Sequence, residues 1–284
     1  ELNAITEKLI GINKDIGFLS DHGTHSLMPD RMAMMQGQPA EAMQVFNSLV
    51  SSRYSIKPIN LKDGSIPDGL NCLIIAKPTE NNVLIVSKED AKETTFYIGG
   101  SGISRNNPDF VAIQVVNTLF GGRFTSMLND ELRVNSGLTY GASSRFSTLK
   151  NGGSFYISTF TALETTTEAI DKALEVLNTL HKNGLSENSL TSAKNYVKGQ
   201  FPPDYETTDQ LSNLLTEMFW YNFDDSFINN FENNVNSLDI KKANDIIASY
   251  FPTKNLQFVL VGKASEIKEI AEKYGKITIV EIKE

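Results

Sequence analysis

Only one cysteine, Cys72, occurs in the chain, so no disulfide can form within it. It sits in the apolar run LNCLIIA and reads as a small buried hydrophobe, which leaves the redox compartment open. Positive charge is scarce too: 26 lysines and arginines against 34 acids give a net charge of −8. That balance argues against general binding to nucleic acid or anionic membrane, since both need a concentrated basic face. No apolar run approaches the roughly 18 residues of a membrane helix, so no transmembrane segment is expected. Neither zinc-peptidase pattern, His-Glu-x-x-His nor His-x-x-Glu-His, is present among the three histidines. Gly-x-x-x-x-Gly-Lys is missing as well. No Met opens the chain and no signal-like segment follows Glu1, which suggests a processed or trimmed piece of a longer protein.

What is present suffices for a real core. The chain has 284 residues, 40% of them hydrophobic, enough for two ordinary domains or one large one. Residues 1–80 read as a small α/β segment. Helical spacing marks NAITEKLIGINK and PAEAMQVFNSLVSSRY, the latter with Pro39 in its first turn. DIGFLS, YSIKPINL and NCLIIAKP are strand candidates, and their alternation with helices predicts parallel pairing. The polar stretch KPTENN, residues 77–82, is the candidate boundary.

Residues 83–284 read as α+β, with helices on a mainly antiparallel sheet. NNVLIVSKED and TTFYIGG are expected to pair directly. NPDFVAIQVVNTLFGG is a helix with Asn107 as cap, Pro108 in first position and Gly121 as stop. FTSMLNDELRVNSG is a second helix, and the stretch from Thr139 to Ala162 is a hairpin turning at Asn151-Gly152. Five further helical segments follow, then the strand NLQFVLVGK, the helix SEIKEIAEKYG and the strand KITIVEI.

Chemistry-bearing residues are few. His22 and His25 form His-x-x-His, but Gly23 and Thr24 lie between them and no carboxylate is placed to act as base. His181 falls near a helix C-terminus, where it suits the dipole and reads as structural. GGSGIS, residues 99–104, follows a strand, but Arg105 takes the place of the third glycine of a dinucleotide fingerprint. The aromatics of EMFWYNF sit at helical spacing and read as core. Arg133 closes one helix, Asn135 and Gly137 turn the chain, and Tyr140 enters the next strand. A guanidinium and a phenol, both donors, can thereby converge on one substrate carbonyl and stabilise charge growing there. Alternatively, Arg133 pairs with Asp130 or Glu131 and Tyr140 merely caps a strand.

From NPDFVAIQVVNTLFGGRFTSMLNDELRVNSGLTYGASSRF through LSENSLTSAKNYVKGQF to NLQFVLVGKASEI, residues 83–284 resemble one half of an M16 (pitrilysin, insulinase-like) peptidase. Phe120 stands where that family often has leucine. The resemblance implies a clamshell of two homologous halves around a peptide, with zinc on one half. The other half lacks the zinc motif and holds the substrate backbone through an Arg/Tyr pair. In this chain those residues are Arg133 and Tyr140, acting in trans, with no metal or cofactor of its own and zinc on the partner half. Residues 1–80, through DIGFLSDHGTHSL and IPDGLNCLIIAKPTE, resemble the Rossmann-like domain of auxiliary proteins of ABC-type exporters and gliding motility, which leans towards a periplasmic setting.

Three functions follow as expectations. The first is a non-catalytic peptidase half that pairs with a zinc-bearing M16 half and binds peptide, with an edge strand such as GSFYISTF adding to the peptide backbone. The second is a non-enzymatic assembly or scaffold component of an envelope or ABC-exporter complex. The third is a metal-binding regulator using His22 and His25.

Overall fold

Alternating burial along four strands builds the core. The computed structural model describes residues 80–281 except 151, and residues 15–19, 55–59 and 72–74 as backbone strands. The first three strands are β1 (Asp15–Leu19), β2 (Ser55–Ile59) and β3 (Cys72–Ile74). They form a sheet in the order β2-β1-β3, with the parallel pairing that the sequence predicts. The helices read at 3–14 and 39–54, together with His22 and His25, lie outside the described residues.

The second sheet has six strands: β4 (Asn82–Ser87), β5 (Glu93–Ser101), β6 (Ala142–Thr148), β7 (Gly153–Ala162), β8 (Gln257–Gly262) and β9 (Lys276–Glu281). Their order is β6-β7-β5-β8-β4-β9, antiparallel from β6 to β8 and parallel where β4 meets β8 and β9. Val83, Ile85, Phe96, Ile98, Phe155, Ile157, Phe258 and Leu260 are all buried. A period of two puts them on one face, which the helices cover. On the alternate face Tyr97 meets Tyr156 edge-on at 5.7 Å. The protein is thus α+β with a mixed sheet.

Two expectations about pairing are corrected. β4 and β5 do not pair, because β8 lies between them and bonds to both. The five residues from 88 to 92 can span two strand spacings, about 10 Å, so the short link did not require a hairpin. GSFYISTF, within β7, is no edge strand: it is bonded to β5 on one side and β6 on the other. The edge strand on that side is β6, and its outer groups are already engaged at one end. The Ala142 N–H donates to Asn129 Oδ1 at 3.2 Å, and the Ser144 carbonyl accepts from Asn117 Nδ2 at 3.1 Å. Side chains thereby blunt an edge open to strand addition.

The helices largely follow the sequence. Helix α1 (Phe110–Asn117) starts two residues beyond Pro108, because Asn107 Oδ1 accepts the Asp109 N–H at 2.8 Å and holds a turn ahead of it. It runs on into a wider π-helical turn, Thr118–Gly122. Gly121 lies inside that turn rather than ending it, where a Cβ would collide with Ser144 and Leu128. Helix α2 (Met127–Asn129) is capped by Ser126 and widens into a second π-helical stretch, Asp130–Asn135. Helices α3 (Thr166–Asn183), α4 (Glu187–Gln200) and α5 (Thr208–Tyr221) follow. The single helix expected over 225–238 is two short ones, α6 (Ser226–Asn229) and α7 (Phe231–Asn236), joined at Asn230. Helices α8 (Ile240–Tyr250) and α9 (Ala264–Ala271) complete the layer.

The core reading of EMFWYNF is overturned, since no residue of α5 is buried. The helix is held by one flank only. Arg105, itself buried, donates from Nε to Glu217 Oε1 at 2.7 Å. Its guanidinium is ringed by Phe110, Tyr221, Phe223 and Phe227, with centroid distances of 4.0, 6.0, 5.1 and 4.9 Å. Helical spacing in the sequence marked the helix, and a polar anchor rather than the main core took one side of it.

Candidate functional site

Arg133 sits in the wide turn that follows α2. The turn closes with the Ser136 N–H donating to the Glu131 carbonyl at 3.0 Å and the Leu138 N–H to the Leu132 carbonyl at 2.8 Å. Gly137 reverses the chain at φ +64°, a left-handed backbone that a side chain would strain. Leu132 and Leu138 on either side are buried and fix the reversal to the core. Tyr140 stands just ahead of β6 rather than in it.

The backbone beneath these two side chains is well tied. The Thr161 hydroxyl donates to the Leu138 carbonyl at 2.8 Å, and the Thr159 hydroxyl to the Gly141 carbonyl at 2.9 Å. Asn129 joins three segments: Nδ2 donates to the Phe124 carbonyl at 2.6 Å, and Oδ1 accepts from Ala142. Replacing Asn129 with alanine would leave the buried Ala142 N–H without its acceptor. The expected cost is about 1–3 kcal/mol, measured by urea unfolding, with Arg133 and Tyr140 losing their common base.

Neither side chain is in ion-pair contact with a described residue. The Arg133 guanidinium rests 4.5 Å from the Phe124 ring centroid. Arg133 does not pair with Asp130 or Glu131. Glu131 accepts from Asn135 Nδ2 at 2.8 Å and lies 3.4 Å from Lys172 Nζ, and these two, Asn135 foremost, hold its carboxyl below the usual range. Tyr140 is 85% exposed. Both residues line one open cavity of about 570 Å³, together with Lys92, Glu93, Leu138 and Phe160. The structure therefore brings the two sequence-selected residues to a single groove at one end of the β5–β7 pair. Phe124, Asn129, Thr159 and Thr161 escaped the sequence reading. None of the four carries a sequence signal that would have marked it out.

The remaining candidates stand apart from this groove. His181 ends α3 with Nε2 2.8 Å from the Phe251 carbonyl, which fixes the proton on that nitrogen and fits a structural role. Gly99 belongs to the sheet, where a Cβ would collide with the Phe155 backbone. Among the described residues no group of three or more His, Cys, Asp or Glu is placed to hold a metal ion, and no helix is long and apolar enough to cross a membrane.

A mixed sheet covered on one face by helices is a fold shared with solved M16 structures. In solved structures the likeness extends to the peptidase M16 inactive domain from Pseudomonas fluorescens. The TM-score is 0.61 at 23% identity, covering 79% of this chain and 50% of that one. The model of the family described as Peptidase M16 inactive domain matches residues 64–197, starting ahead of residue 83. Residues 64–197 are therefore similar to the peptidase M16 inactive domain, the family that the sequence resembles. Among curated proteins it is similar to the Non-peptidase homolog YmxG of Helicobacter pylori, 25% identical over 63% of this chain and 42% of that protein. It is also similar to the Probable inactive metalloprotease YmfF of Bacillus subtilis, 27% identical over 57% of this chain and 38% of that one. The chain thus spans less than half the length of these relatives.

Proposed function

We propose that this chain is the substrate-holding wall of a two-part peptidase site. It pairs with a zinc-bearing M16 half, and Arg133 and Tyr140 hold the carbonyl of an extended peptide between the two. The single observation that carries this is the groove of about 570 Å³ into which both donors open, with no described carboxylate in ion-pair contact with Arg133. A charged fork and a phenolic O–H are the donor types that favour an oxygen gaining negative charge. Metal-assisted attack belongs to the partner half. This chain positions the carbonyl and keeps it from rotating, which lowers the entropy cost of reaction.

Tyr140→Phe removes one donor and leaves the ring. In the chain reconstituted with a zinc-bearing half, peptide turnover should fall about tenfold or more while co-elution of the two parts is unchanged. Equal turnover in the variant would remove Tyr140 from the site.

A scaffold role is the second reading, favoured by the name of the Helicobacter pylori relative, a non-peptidase homolog. Affinity purification separates the two. A zinc-motif homologue as main partner supports the peptidase half, and transporter or envelope components support the scaffold.

A further inference from the structure

Helix α5 shows solvent a stripe that a soluble surface rarely carries. Leu211, Leu215 and Phe219 recur at every fourth position and so share a side, with Phe219 88% exposed and Leu215 65%. Trp220 next to them is half exposed. Contiguous exposed apolar residues of this kind mark interaction surfaces.

The charge along this stretch of chain is of one sign. From Gly199 to Ile240 the sequence contains no lysine, arginine or histidine. Asp204, Glu206 and Asp209 are exposed at the start of α5, and Asp224 and Asp225 just beyond its end. Glu217, the one acid within the helix body, is already taken by Arg105. A cation from elsewhere does rest here: Lys150 Nζ lies 5.0 Å from the Trp220 ring centroid and donates to the Trp220 carbonyl at 3.1 Å. The face therefore already accepts an ammonium group on its aromatic ring.

This surface is separate from the Arg133–Tyr140 groove. The groove is lined by Glu93 and Ala162, paired at the start of β5. The anchors of α5, Arg105 and Lys150, follow the opposite ends of β5 and of the β6–β7 pair. Nine residues of β5 lie between, about 30 Å at the rise of a strand.

We propose that the exposed face of α5 is a docking surface for a basic amphipathic helix of a partner protein. The partner's apolar side would lie along Leu211, Leu215 and Phe219. Its lysines or arginines would face the acids at either end of α5, and one of them would replace Lys150 on Trp220. Charge complementarity selects this occupant: a second copy of the same face would bring acid against acid, and an anionic lipid surface would be repelled.

Trp220 is the only tryptophan in the chain and reports occupancy directly. The probe is a short synthetic helical peptide with leucines on one side and lysines on the other, titrated into the full chain. A saturable shift of the tryptophan emission to shorter wavelength is expected, weakening as salt is raised. Phe219→Asp and Leu215→Asp, both at exposed positions, should weaken binding about tenfold or more, whereas Arg133→Ala should leave it unchanged. That last variant separates this surface from the substrate groove, so either assignment can fail alone. The proposal is overturned if emission does not change, if a scrambled peptide of the same composition binds equally well, or if the aspartate variants bind as the parent does. Self-association of the chain that the same aspartates abolish would overturn it too, by assigning the face to a second copy.

Discussion

Alanine at position 133 is expected to lower peptide turnover by about 10²–10³-fold in the chain paired with a zinc-bearing half, with assembly and thermal midpoint unchanged. The expectation of unchanged stability rests on the surroundings of Arg133. Its contact is with the face of Phe124, a residue that is itself exposed. Glu131, an acid of the same turn, is occupied by Asn135 and Lys172 and loses nothing when the guanidinium goes. The loss should fall on kcat as much as on kcat/KM, since the donors matter most once the oxygen carries charge. Arg133→Lys is the finer test. It keeps the positive charge and removes the planar fork, so a variant that remains as slow as alanine would assign the effect to geometry rather than to charge. Full turnover in Arg133→Ala would end the substrate-holding role.

The largest effect on stability is expected at Phe155. This side chain, 1% exposed, stands in β7 among Phe120, Phe146 and Phe251, with ring centroids 6.2, 4.9 and 5.3 Å away. Phe155→Ala removes the ring from the middle of that group and opens a cavity that strands on both sides keep from collapsing. The expected cost is about 3–5 kcal/mol, or roughly 6–20 °C in Tm for a protein of this size, read by thermal or urea unfolding. The same strand ends at Phe160–Ala162, in the wall of the groove. A folded fraction of Phe155→Ala should therefore retain peptide binding only at temperatures where β7 is formed. A cost under about 1 kcal/mol would mean that the aromatic group is loosely packed and does not organise the sheet.

Several features of this protein were legible as local chemistry. Alternation along NNVLIVS and NLQFVLVG predicts strands, and both occur, as β4 and β8. Gly137 marks a reversal, and it takes the left-handed conformation that only a turn requires. The donor chemistry of Arg133 and Tyr140 was equally legible, because residue type and a seven-residue separation across one turn are properties of the chain itself. Pairing was less accessible. Nothing in the five residues between β4 and β5 says that β8, some 150 residues later, will enter between them. The periodicity of α5 was read rightly as helical and wrongly as core, because period reports which residues share a side of a helix and not what stands opposite that side.

Residue order alone thus determined most of the elements and the α+β class, and it set a guanidinium and a phenol either side of one turn, since each depends on neighbours a few positions away. The tertiary structure decided that no described acid is in ion-pair contact with Arg133, that β7 is an inner strand, and that the apolar side of α5 is left to solvent. Those facts depend on groups far apart in sequence that compete for the same contacts, and only the folded chain settles which of them win.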